Sequence, residues 1–157
     1  MSSKRKFELA RFLPYRLSVL AEQVSRLVAR TYAGRYALST PEWRVIAHLG
    51  YSTSLSAFTI AERTAMDKVK VSRALARLTE RGIVLRETNP LDQRGFLLAL
   101  TPSGRVLFER IVPAALATEG RIVEALDAPD RAHLSRILDK LAAHVEALSS
   151  APIDEMG

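Results

Sequence analysis

The sequence predicts a mainly α-helical chain with one short β-hairpin set among helices, and three observations predict it. Apolar residues recur at helical spacing, as at Leu13, Leu17, Leu20, Val24 and Leu27. A hydroxyl residue followed by proline marks a helix start at Thr40-Pro41 and again at Thr101-Pro102. The runs Ile83 to Thr88 and Gly95 to Leu100 have β character, and the turn-rich stretch Asn89 to Arg94 separates them. At 157 residues the chain suits a single domain, 1–157, with a sizeable core.

Residues Met1 to Lys6 read as a disordered, cationic start. A first helix is expected from about Phe7 to Gly34, with Pro14 in its first turn, where a missing N–H does no harm. Its apolar seam alternates spacings of four and three, like a coiled coil, and can pack within the chain or against a second copy. Thr40 caps the next helix, which buries Trp43, Ile46 and Leu49 and stops at Gly50. A polar connection follows over Tyr51 to Leu55. Ser56 then caps a short helix, Ala57 to about Thr64, that packs Ile60 and Ala61; a start at Thr59, boxed by Glu62, is the alternative. Ala65 and Met66 turn the chain.

The next helix, 67–82, has both ends marked, by Asp67 as cap and by Gly82 in the left-handed position. Val71, Leu75 and Leu78 make one narrow apolar face. The remainder carries Lys68, Lys70, Ser72, Arg73, Arg77 and Arg81. Such a helix suits the DNA major groove, although a solvated basic face is the common meaning of this pattern. Its neighbours favour DNA. A short helix, a tight turn and a basic helix make a helix-turn-helix, and the hairpin directly behind it makes a two-stranded β-wing. The winged helix-turn-helix spans 40–101.

Behind Thr101-Pro102 a long helix is expected with Val106, Leu107, Ile111, Leu116, Ile122, Val123 and Leu126 on its apolar side. Pro113 should kink it and Gly120 should weaken it. A last helix, capped at Asp127, carries Leu134, Ile137, Leu138, Leu141, Val145 and Leu148, and Ser149 to Gly157 should fray. The N- and C-terminal helices, 7–34 and 102–149, hold more apolar surface than a small winged core can cover. They are expected to be dimerisation helices; packing onto the centre of a monomer is the alternative.

Composition narrows the function. A net charge of +6 suits a polyanionic partner. The absence of cysteine excludes disulfides and thiolate metal sites. No apolar run is long enough for a signal peptide or membrane span, so a cytoplasmic protein without membrane contact is expected. His133 and His144 lie eleven residues apart on one helix, roughly 16 Å, too far to share a metal. With no nucleophile elbow or phosphate-binding glycine loop, neither an enzyme, a metal site nor a cofactor is expected.

The chain resembles the MarR family of transcriptional regulators. The residues that carry the resemblance are Thr40-Pro41-Glu42-Trp43-Arg44-Val45-Ile46, Met66-Asp67-Lys68 through Val71-Ser72-Arg73, and Leu78 to Gly82. Asn89-Pro90-Leu91-Asp92-Gln93-Arg94 and Leu100-Thr101-Pro102-Ser103-Gly104-Arg105 complete it. The resemblance runs in order over about residues 12 to 148. It implies a homodimer on a palindromic operator in double-stranded DNA. In the recognition helix, Arg73 is the first choice for reading a base edge, with Ser72 beside it, while Lys68, Lys70 and Arg77 meet phosphates. In the wing, Arg86 and Arg94 contact DNA, and Asp92 orients Arg94, which enters the minor groove. Relatives bind small aromatic or anionic molecules between the dimer helices and the winged region. Tyr15, Arg16, Tyr36, Trp43 and His48 would line that crevice here, for a phenolic or other aromatic acid or a coenzyme A thioester. Two other classes compete: an architectural DNA protein without sequence choice, and a protein-interaction module with no DNA role.

Overall fold

The computed structural model describes residues 7–150, and the backbone alone for 92–94. Of the expected loose ends, 1–6 and 151–157 lie outside the described residues, while Ser149 and Ser150, expected to fray, are the last helical residues of the chain's final helix. A short 3-10 turn at Leu9–Arg11 is followed by α1 (Leu13–Ala29), α2 (Ala33–Tyr36), α3 (Thr40–Gly50), β1 (Leu55–Ser56) and α4 (Ala57–Thr64). Then come α5 (Lys68–Glu80), β2 (Val84–Asn89), β3 (Asp92–Leu100), α6 (Pro102–Val123) and α7 (Ala128–Ser150). The chain divides into two compact units, Met1–Thr118 and Glu119–Gly157.

The first helix is shorter than expected at both ends. Phe12 is extended (φ −73°, ψ 112°), so α1 begins at Leu13 with Pro14 in its first turn. At the other end the Thr31 hydroxyl donates to the Val28 carbonyl (2.7 Å), and Tyr32 leaves the helical track (φ −129°). That departure seats the Tyr32 ring in the core, 1% exposed. The helix therefore stops before Gly34, and α2 is a separate single turn.

For α3 the cap lies one residue earlier than expected, at Ser39. Its hydroxyl accepts from the Glu42 amide (3.4 Å), and the Glu42 carboxylate accepts from the Ser39 amide (2.6 Å). This reciprocal box satisfies two otherwise unpaired donors where Thr40 alone would satisfy one. The helix stops at Gly50 as expected, with Gly50 its last helical residue. A Cβ there would fall 2.5 Å from the Phe108 ring, so the missing side chain admits that ring. Val45, Ile46 and Leu49 are fully buried, and Trp43 is only partly so.

The Ser56 start for α4 holds, with its hydroxyl accepting from the Thr59 amide (3.0 Å). Leu55, expected as the end of a polar connection, forms a two-residue strand with the cap residue Ser56. It pairs with β3, giving a three-stranded antiparallel sheet in the order β1-β3-β2 rather than a two-stranded wing alone. The hairpin loop is also tighter than expected. The Leu91 amide donates to Asn89 Oδ1 (3.0 Å), closing the turn over Pro90 and Leu91, so β3 begins at Asp92. An irregularity in register at Thr88 and Asn89 accommodates this.

On α6 the inward face is Gly104, Phe108 and Ile111, while Val106 and Leu116 are 46% and 57% exposed. The helix is rotated this way because Gly104 sits against the Ile83 carbonyl, where a Cβ would lie 2.1 Å away. Phe108 then follows at four residues and Ile111 at seven. Pro113 lies inside α6 without ending it, and Leu126 falls past its end. In the second unit, α7 is capped by Asp127, whose carboxylate accepts from the Asp130 amide (2.8 Å). None of the α7 residues is buried.

Candidate nucleic-acid interface

The basic helix is α5, and its construction separates two faces. Ala65 takes a left-handed turn (φ 51°) between α4 and α5, and Met66 is buried beneath it. Asp67 Oδ1 accepts from the Lys70 amide (2.8 Å). That backbone hydrogen bond, more than any other cause, holds the Asp67 carboxyl below its ordinary pKa, so the cap stays ionised at neutral pH. Val71, Ala74, Leu75 and Leu78 turn inward. Gly82 (φ 67°) takes the left-handed position expected of it.

The opposite face carries Lys68, Lys70, Ser72, Arg73 and Arg77, all exposed. Their positions therefore match the sequence reading, on one solvent-facing helix whose inner side is fixed by the core. Lys70 is partly occupied, with its Nζ 3.4 Å from Asp67 Oδ2, although so exposed a pair contributes little. The sequence reading passed over two cations near it. Arg26 of α1 and Arg44 of α3 border the same hollow as Lys70, of about 270 Å³. Residue type could not have found them, because their nearness depends on where α1 crosses α3.

The wing stands beside α5. Arg86 of β2 lies opposite Leu98 of β3, and its guanidinium sits 4.4 Å from the centre of the Phe96 ring. This cation–π contact holds the arginine along the hairpin face. Asp92 and Arg94 are placed by backbone only, at the start of β3; the expected contact between their side chains lies outside the described residues. Leu91 at the turn is 95% exposed. Between α5 and the sheet lies a hollow of about 640 Å³, lined by Phe58, Val71, Ser72, Leu75, Arg86 and Phe96 among others.

The five residues expected to line an effector crevice do not converge on that hollow. Tyr15 and Arg16 are exposed on α1, and Tyr36 lies at the end of α2 with Arg35 over its ring (5.6 Å). Trp43 is stacked with Tyr32 and Phe108, at 5.4 and 6.3 Å between ring centres. His48 lies partly buried on α3; burial, and secondarily the charge of Arg63, lowers its pKa. Among the described residues no cluster of His, Asp and Glu is suited to a metal ion, and no helix is long and apolar enough to cross a membrane.

Comparisons with known proteins agree with this geometry. A MarR family profile matches residues 38–95, the span from the cap of α3 into the wing. The chain is 27% identical over 133 residues to an HTH-type transcriptional repressor of Mycobacterium tuberculosis, covering 84% of this chain and 92% of the relative. It superposes on a MarR family transcriptional regulator from Silicibacter pomeroyi with a TM-score of 0.78 and 28% identity, covering 89% of this chain and 99% of that one. It shares its fold, at a TM-score of 0.78 and 23% identity, with BpsR of Bordetella bronchiseptica, whose DNA binding is regulated by 6-hydroxynicotinic acid. There the coverage is 87% of this chain and 97% of BpsR.

Proposed function

We propose that the chain is a winged helix-turn-helix transcriptional regulator of the MarR family, a homodimeric repressor of a palindromic operator released by a small aromatic or anionic effector. The observation that carries the reading is the exposed row Lys68, Lys70, Ser72, Arg73 and Arg77 on a helix whose other side is core. Arg73 reads a guanine edge through a bidentate contact, and Ser72 contacts a base beside it. Lys68, Lys70 and Arg77 meet phosphates and fix register. Arg94, oriented by Asp92, enters the minor groove, with Arg86 behind it on the hairpin.

Support for the dimer comes from apolar side chains with no cover in one chain. Leu13, Leu17 and Leu20 of α1, and Leu134, Ile137 and Leu138 of α7, are each 40% exposed or more. A two-fold pair would present two recognition helices about 34 Å apart, to successive major-groove turns. The whole chain, 1–157, then acts in the cytoplasm as one regulator, with residues 7–34 and 102–149 supplying the dimer contacts.

An effector of the phenolic-acid class, free or as a coenzyme A thioester, is supported by the small aromatic acid that regulates BpsR. Tyr15 and Arg16 are exposed on α1 to meet it between α1 and a partner, while Tyr36, Trp43 and His48 are each partly buried. The hollow beside α5 is a second seat with suitable chemistry, apolar walls and the Arg86 cation. A ligand in either seat shifts the population away from the DNA-competent dimer by its differential affinity. The test is titration of a duplex carrying the region upstream of a neighbouring gene against a random duplex, over a series of salt concentrations. A salt-dependent preference for the upstream duplex, lost on adding an aromatic acid, is expected. Equal affinity for both duplexes favours the architectural alternative, and no salt-dependent affinity removes the DNA role.

A further inference from the structure

The C-terminal end of α5 is held from two sides, and the two attachments differ in kind. On one side the backbone of residues 82–83 is fixed to the start of α6. The Thr101 hydroxyl donates to the Gly82 carbonyl (2.7 Å), the Ser103 hydroxyl donates to the same oxygen (3.0 Å), and the Thr101 amide donates to the Ile83 carbonyl (3.0 Å). Gly104 closes this contact, since any Cβ there would strike the Ile83 oxygen. On the other side the hydrogen bonds come from a single side chain. Arg81 Nη1 donates to the Ala37 carbonyl (3.0 Å) and Nη2 to the Tyr36 carbonyl (2.7 Å). Those two carbonyls lie at the end of α2, on the connector from α1 to α3. Ala37 is left-handed there (φ 50°), and the next residue, Leu38, is buried.

The geometry points to Arg81 as a positioning residue that sets the recognition helix relative to the α1–α3 connector, rather than as a further phosphate contact. A guanidinium presents two parallel donors and matches two successive carbonyls; an ammonium cannot reproduce that fork. The clamp spans residues 44 and 45 apart in sequence, so it joins the helix that would read DNA to the segment that follows the α1 helix. A shift of α1 on dimerisation or effector binding reaches α5 through this fork, while the α6 side stays held by the Thr101 and Ser103 hydroxyls and the Thr101 amide. Arg81 was one cation among several in the sequence. The structure gives its guanidinium to the protein's own backbone, apart from the DNA-facing set of Lys68, Lys70, Ser72, Arg73 and Arg77.

The inference rests on the DNA-binding reading above, and the test separates the two. Full-length wild type, Arg81→Lys and Arg77→Ala are titrated with an upstream duplex at several salt concentrations, with thermal unfolding of each variant alongside. Arg81→Lys is expected to bind about tenfold more weakly with the salt slope of wild type, because no phosphate contact is lost. Arg77→Ala is expected to lower the slope by about 0.9. Hydrogen exchange on Arg81→Lys should speed up at both ends of the clamp, residues 36–38 and 78–82, with the melting temperature within a few degrees of wild type. If Arg81→Lys binds as wild type does, or if its slope falls like that of Arg77→Ala, the clamp assignment is wrong while the DNA reading stands. If wild type itself shows no salt-dependent binding, the DNA reading fails and the positioning role fails with it.

Discussion

The winged region and the two flanking helices treat their apolar residues in opposite ways. From α3 to β3, Val45, Ile46, Leu49, Ile60, Val71, Leu78 and Val84 are all buried to 2% exposure or less. On α7 no residue is buried, and along α1 the seam residues Leu13, Leu17, Leu20 and Leu27 are each exposed by more than a third. The same residue types are present in both regions, so composition does not set the difference. The winged region buries its apolar residues in a core to which Tyr32 and Phe108, from the segments on either side of it, add rings stacked with Trp43, whereas α1 and α7 leave larger apolar faces exposed. One region buries its apolar residues; the other leaves them exposed.

The largest expected effect breaks the buried region. Leu78→Ala deletes a fully buried side chain from the inner face of α5 and should cost about 3 kcal/mol, read as a lower urea midpoint with unchanged slope. A cost below about 1 kcal/mol would mean that α5 is not seated on the core. Next, Leu138→Glu places a charge on the open face of α7. It should leave the winged core folded and weaken self-association at least tenfold, followed by sedimentation across a dilution series. A wild type that sediments as a monomer at every concentration would remove the contrast.

A smaller effect lies on the outer face of α5. Arg73→Ala should cost roughly 1–3 kcal/mol of preference for the operator over random DNA, while Lys70→Ala should weaken both duplexes alike. The reverse pattern would exchange their roles. Smallest is the pH effect of His48. Burial disfavours its charged form in the folded state, so on acidification the unfolded chain takes up the proton first. Stability should be unaffected above the ordinary histidine range and fall as pH drops through it. His48→Gln should flatten that part of a melting-temperature profile against pH, and an unchanged profile would contradict the assignment.

Where a local signal decides the structure, the sequence was enough. Asp67 caps α5, Gly82 ends it, and Val71, Leu75 and Leu78 face inward, as their types and spacing require. The exposed cationic row followed from the same periodicity. What was not legible depends on contacts distant in sequence. Two residues, Leu55 and Ser56, are too few to show a β period, and only pairing with β3 makes them a strand. Phe108 turns inward instead of Val106 because Gly104 rests on Ile83, more than twenty residues earlier. Arg81 looked like its neighbours until the connector carbonyls came within reach. For Asp92 and Arg94 the sequence expectation stands as a proposal.

Selection of bound duplexes from a random pool by the full-length chain, followed by protection mapping of the winner, tests the central claim most directly. The account predicts an inverted repeat with half-sites about one helical turn apart. Protection should extend from the major groove of each half-site to an adjacent minor groove, and Arg73→Ala should erase the selected bases. Enrichment of no sequence, or of a single half-site bound by one chain with α5 unprotected, would contradict it.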